Sequence, residues 1–122
     1  MESIALSPLD GRYWEGTGKR LSPFFSELAL MRYRCLVEVE YFIALLTKLG
    51  LYTPTAEEVI KLRHSYQNFS EGDMAWVKAK EKITNHDIKA LEYFVKERVV
   101  DPCGGQLLKH REFVHFGLTS QD

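Results

Sequence analysis

Phe25, Leu28, Met31, Cys35, Val39, Phe42, Leu46 and Leu49 recur in steps of three and four through one unbroken run. Apolar side chains at that period share one side of an α-helix, so the run has to bury a continuous stripe. Ser22 followed by Pro23 supplies an N-cap and a first-turn proline, and Gly50 supplies a stop. As a helix, residues 23–49 would reach about 40 Å at ~1.5 Å per residue. That length exceeds what a small domain needs, so the helix is expected to lie along several neighbours.

The rest of the chain continues in the same period. Thr55-Ala56-Glu57-Glu58 is a capping box, opening a helix whose inner face is Val59, Leu62, Tyr66 and Phe69. Ser70-Glu71-Gly72-Asp73 opens another, carrying Met74, Trp76 and Val77 and ending near Ile83. Thr84 or Asn85 caps the next, with Asp87 in its first turn and Ile88, Leu91 and Val95 facing inward. Glu92 and Lys96 form an i,i+4 pair expected on its outside. Asp101-Pro102-Cys103-Gly104-Gly105 breaks the chain, and Leu107, Leu108, Phe113, Val114 and Phe116 close the core. No period-two strand pattern of useful length occurs, so the predicted fold class is all-α. Ahead of the long helix, Pro8, Asp10, Gly11, Gly16 and Gly18 punctuate an irregular arm in which Tyr13 and Trp14 need packing partners.

A length of 122 residues is one domain, small for a complete metabolic enzyme. A net charge of −1 gives no global field toward nucleic acid or a membrane surface, so a charged ligand has to be held by local groups. No basic leader precedes a long apolar run, and no stretch reads as a membrane span, which makes the cytoplasm the expected compartment. Cys35 and Cys103 lack CxxC spacing; Cys35, inside the apolar stripe, is expected as a reduced, buried thiol.

Three polar constellations stand outside the apolar stripes. Arg12-Tyr13 pairs a planar guanidinium with a hydroxyl on a rigid ring, and reads either as an anion contact or as a surface arginine beside a core tyrosine. Asn85-His86-Asp87 falls at a helix start, where unpaired N–H groups and the positive dipole end favour an anion and a histidine can donate or exchange a proton. Plain capping by Thr84, Asn85 and Asp87, with His86 in solvent, fits the same residues. His115-Phe116-Gly117-Leu118-Thr119-Ser120 joins a glycine to two adjacent hydroxyls, and Asp122 follows as though another helix began there. His64 is expected on the polar side of its helix. His110 and His115 have no metal-ligand spacing, and no Walker loop, GxGxxG or nucleophile elbow is present.

Taken in order, Ser7-Pro8-Leu9-Asp10-Gly11-Arg12-Tyr13, Arg32-Tyr33-Arg34, Val37-Glu38-Val39-Glu40, Thr84-Asn85-His86-Asp87-Ile88-Lys89 and Glu112-Phe113-Val114-His115-Phe116-Gly117-Leu118-Thr119-Ser120-Gln121-Asp122 resemble the adenylosuccinate lyase branch of the fumarase/aspartase superfamily. The resemblance implies a mostly helical lyase of three domains, residues 1–122 being the first. The central helical-bundle and C-terminal domains are absent from this chain. It further implies a homotetramer whose active sites each draw on three subunits, a small succinylated purine nucleotide or precursor as partner, and no nucleic acid, membrane, metal or organic cofactor. The reaction implied is elimination of fumarate from adenylosuccinate to give AMP, and from succinylaminoimidazole carboxamide ribotide in purine synthesis.

Carried over by the same resemblance, Arg12 and Tyr13 contact the nucleotide, chiefly its phosphate. Asn85, His86 and Asp87 form a substrate-binding triplet in which His86 also assists acid catalysis. Thr119 and Ser120 hold the succinyl group, and His115 lines the same pocket. The serine on a flexible loop that serves as base, and the histidine that serves as principal acid, lie downstream in such enzymes, so residues 1–122 alone are expected to be inactive. Gly117-Leu118 departs from the Ala-Cys common in close relatives. An argininosuccinate-type lyase domain and a stand-alone helical interaction module are the alternative readings.

Overall fold

The computed structural model describes residues 26–118, which form helices and turns with no strand among them. Helix α1 spans Glu27–Lys48, α2 Ala56–Gln67, α3 Glu71–Thr84 and α4 Asp87–Phe94. Helix α4 runs on as a π-helical stretch, Val95–Val100, and a 3₁₀ turn, Asp101–Cys103. A short α5, Gly105–Lys109, and a second 3₁₀ turn, Arg111–Phe113, follow.

The long helix starts later than its apolar stripe suggests. Ser26 is extended (φ −70°, ψ 167°) and its side chain accepts the Ala29 N–H, so this helix begins at Glu27. Ser22 and Phe25 lie outside the described residues. At the other end Gly50 (φ +67°) closes a Schellman motif: its N–H reaches the Thr47 carbonyl and the Leu51 N–H reaches that of Leu46. The stripe between them is buried, with Cys35, Val39, Phe42 and Leu46 fully inaccessible, whereas Leu49 sits past the helix and is exposed.

As expected of its length, α1 touches α2, α3, α4, the π-helical stretch and the 111–113 turn. Helices α3 and α4 pack as a hairpin, and Phe94 receives the ring edges of Phe69 and Trp76 at centroid separations of 5.4 and 5.7 Å. The predicted capping box of Thr55 with Glu58 forms, and the cap expected at Ser70 proves to be a capping box with Asp73. Glu40 on α1 accepts from Arg63 (2.7 Å) and Tyr66 (2.6 Å) of α2, which fixes that helix pair from the rim of the core. Cys35 is a buried free thiol, pushed up to about 12 chiefly by burial.

Two expectations about the rim are corrected. Glu92 and Lys96 are each only 8% exposed, because the 111–113 turn folds over them and brings Glu112 to Lys96 at 3.0 Å. Burial by itself would lower Lys96, but Glu112 and Glu92 (3.1 Å) together hold its ammonium above the ordinary lysine range. Leu108 and Phe116, counted toward the core, are exposed; Leu107 and Val114 alone among the closing aliphatics are buried.

Candidate active site

Between α3 and α4 the chain turns through one left-handed residue. Asn85 adopts φ +57°, a conformation asparagine tolerates better than most residues, and donates its N–H to the Glu81 carbonyl at 2.7 Å as the C-cap of α3. His86 then caps α4. It, rather than Thr84 or Asn85, is extended (φ −153°, ψ 121°), and its Nδ1 accepts the Lys89 N–H at 3.2 Å. Thr84 braces the turn by donating its hydroxyl to the His86 carbonyl at 3.0 Å.

This arrangement determines what His86 can do. A ring whose Nδ1 accepts from the backbone carries its hydrogen on Nε2, leaving a donor on a half-exposed imidazole. The 3.9 Å separation of Nδ1 from the Asp87 carboxylate is therefore not an ion pair, since Nδ1 is occupied by the Lys89 N–H. Asp87 accepts the Ile88 N–H at 2.8 Å through one oxygen and Arg34 Nη1 at 2.9 Å through the other. Burial works upward on Asp87, but Arg34 and the Ile88 N–H outweigh it and keep the carboxyl below its usual range. The Ile88 and Lys89 N–H groups of this helix start are already bonded to its own side chains.

The second motif is held by the same long helix. His115 has φ +63° and brings Nδ1 to within 2.5 Å of Glu38 Oε1. One further turn along α1, Tyr41 donates its hydroxyl to the Phe116 carbonyl at 2.7 Å. Leu118 N–H closes a turn onto the His115 carbonyl (3.1 Å), with Gly117 at φ +77° in the position where such a turn requires it. Arg34, Glu38 and Tyr41 thus form a polar stripe at i, i+4 and i+7 beside the apolar one. Two motifs separated in sequence by more than twenty residues are anchored about 6 Å apart along one helix axis, four residues at ~1.5 Å each.

Of the motif residues Asn85, His86, Asp87 and His115, the fold ties Asp87 and His115 to α1, while Asn85 and His86 lie in the turn that Asp87 anchors. Arg34, Glu38 and Tyr41 carry no sequence signature of a site; the available signal is that a charged or polar side chain recurs at helical spacing along the margin of the apolar face. Arg12, Tyr13, Thr119 and Ser120 lie outside the described residues. Elsewhere, a cleft of about 500 Å³ is lined by residues that include Lys61, His64, Asn68, Arg98 and Cys103, but by none of the motif residues. His64 is exposed on its rim, as expected. Among the described residues no group of three or more His, Cys, Asp or Glu side chains could hold a metal ion, and no helix is long and apolar enough to cross a membrane.

No protein-family profile matches the chain. Individual relatives do: it is 49% identical over 123 residues to adenylosuccinate lyase of Dictyostelium discoideum, 41% identical over 123 residues to that of Haemophilus influenzae, and 38% identical over 121 residues to that of Escherichia coli. In each case the match covers 97% of this chain and 26% of the relative. The chain therefore spans about a quarter of the length of these proteins. Identity is sustained along nearly all of the chain's own length, so what it is similar to is one part of these adenylosuccinate lyases.

Proposed function

We propose that residues 1–122 are the first domain of a homotetrameric, cytoplasmic lyase that eliminates fumarate from adenylosuccinate and from succinylaminoimidazole carboxamide ribotide, and that this domain supplies substrate-binding groups. The observation that carries the reading is the convergence of the Asn85-His86-Asp87 and His115-Phe116-Gly117 motifs on the polar stripe of α1. The whole-chain likeness to adenylosuccinate lyases supports it independently.

In this reading Arg12 and Tyr13 contact the nucleotide, Asn85, His86 and Asp87 bind beside them, and His115, Thr119 and Ser120 take the succinyl end. His86 acts through its Nε2 hydrogen, a donor aimed by the Nδ1 bond to the helix start, and so binds and polarises an anionic group. Asp87 is the anchor of that turn through Arg34, not a proton carrier, because its carboxyl is held in the ionised form. The proton abstracted from the succinyl carbon and the proton returned to the departing nitrogen are handled by groups in the remainder of the lyase. No cofactor is required in this scheme.

The test is an assay of the complete lyase containing this chain with adenylosuccinate and, separately, argininosuccinate. Fumarate and AMP are expected from the first and no fumarate from the second; the reverse pattern overturns the assignment. In the same protein His86→Ala is expected to cost ~10²-fold or more in turnover, the scale of lost acid–base or electrostatic assistance. A near-wild-type rate would remove His86 from the site.

A further inference from the structure

We propose that Glu38 is a positioning residue of the lyase site, holding His115 so that Nδ1 is committed to the protein and Nε2 is the nitrogen presented to substrate. The inference rests on the lyase reading above and adds to it a residue that neither sequence motif contains.

Glu38 lies on α1 at 5% exposure, between the Arg34 anchor of Asp87 and the Tyr41 anchor of Phe116. One carboxylate oxygen meets His115 Nδ1 at 2.5 Å; the other, Oε2, is buried and has no hydrogen-bond partner among the described residues. A carboxylate left half-satisfied in an interior is a cost to the fold, since each unpaired buried polar atom forfeits its hydration. Val39, Cys35 and Phe42 beside it show that apolar side chains fill this depth of the helix without difficulty. A glutamate here has a reason other than packing, and its one bond identifies the reason.

The bond has a definite chemical consequence. A carboxylate that accepts from Nδ1 selects the imidazole form with hydrogen on Nδ1 and fixes the plane of the ring. Nε2 is then the ring atom free to meet a ligand, either as an acceptor or, when the ring takes a second proton, as a donor. His86 has the opposite arrangement, with Nδ1 accepting and hydrogen on Nε2. The two histidines of the site are thus set in complementary tautomers by two different devices, a helix start and a buried carboxylate. The left-handed backbone at His115 and the Tyr41 bond to the next carbonyl hold the ring in reach of Glu38.

The experiment is a double-mutant cycle in the complete lyase, with kcat and KM for adenylosuccinate and the thermal midpoint measured for Glu38→Leu, Glu38→Gln, His115→Ala and the combined variants. Glu38→Leu is expected to lower kcat/KM about 10–100-fold, as loss of a carboxylate that orients a histidine does elsewhere. Its thermal midpoint should be unchanged or higher, since an apolar residue replaces a half-satisfied charge. Glu38→Gln, whose amide oxygen still accepts from Nδ1, should lose less. In the His115→Ala background neither change at Glu38 should cost anything further. Losses that persist in that background, or that follow the thermal midpoint, would overturn the proposal by making Glu38 merely structural. Wild-type-like kinetics of Glu38→Leu would overturn it as well. Absence of adenylosuccinate turnover in the unsubstituted lyase would instead reject the functional reading, and this inference with it.

Discussion

Arg34 and Asp87 are the residue pair on which the histidine turn depends. Their bond is 2.9 Å long, yet both side chains are partly solvated, so its contribution is that of a screened pair, about 0.2–1 kcal/mol. Asp87 has a folded pKa below its unfolded value near ~3.9, so its stabilisation is fully present above that value and is lost as the pH falls through the folded pKa. Arg34→Ala is therefore expected to lower stability by about 0.5 kcal/mol at neutral pH, with the difference from wild type vanishing in acid. Urea unfolding at several pH values reads this directly; a difference that grows on acidification would contradict the sign.

At the scale of elements, one chemical change made at two glycines should act in opposite directions. Gly117 holds φ +77°, and a Cβ there would meet Tyr41 Oη at an ordinary 3.5 Å, so the obstacle to Gly117→Ala is backbone strain and not space. It should destabilise by about 1 kcal/mol or more and disturb His115, two residues away. Gly72 sits in the first turn of α3, with only Ser70 Oγ at 3.5 Å from its Cβ position. Gly72→Ala should stabilise by about 0.5 kcal/mol, since alanine loses less conformational freedom in a helix. Thermal midpoints of the two variants check both signs. The π-helical stretch after α4 belongs to this scale too: it seats Lys96 between Glu92 and Glu112 and so ties the end of that helix to the segment leading to His115. Sequence periodicity gave no notice of it, because a single wide turn leaves the three-and-four spacing of Ile88, Leu91 and Val95 intact.

For the molecule as a whole, the burial pattern is uneven. The inner face of α1 is fully covered, while Leu30, Tyr33 and Val37 on the same helix remain 40–48% exposed. The site is likewise open: His86 and Asp87 side chains keep about half of their surface. Under the lyase reading the base and principal acid belong to other parts of the protein. Residues 1–122 expressed alone should then release no fumarate from adenylosuccinate at any enzyme concentration that the complete lyase reveals as active. Turnover by the isolated chain would show that the chemistry resides here after all.

The helical class, the four principal helices and most of the core were legible from the sequence because they depend on local period and capping chemistry. Leu62, Met74, Val77 and Leu91 announce themselves by spacing, and Thr55 and Ser70 by the acid three residues on. The motif histidines were legible as residue types beside turn formers. Their partners were not. Whether Ser22 or Ser26 caps α1, whether Glu92 and Lys96 face water, and which nitrogen of each histidine is free all depend on what another segment brings into contact. Glu38 and His115 stand 77 residues apart, and only the packing of the final turns onto α1 makes a buried carboxylate and an imidazole one unit. Local spacing sets which face of a helix is apolar; long-range closure decides what the margin of that face touches, and the candidate site lies on that margin.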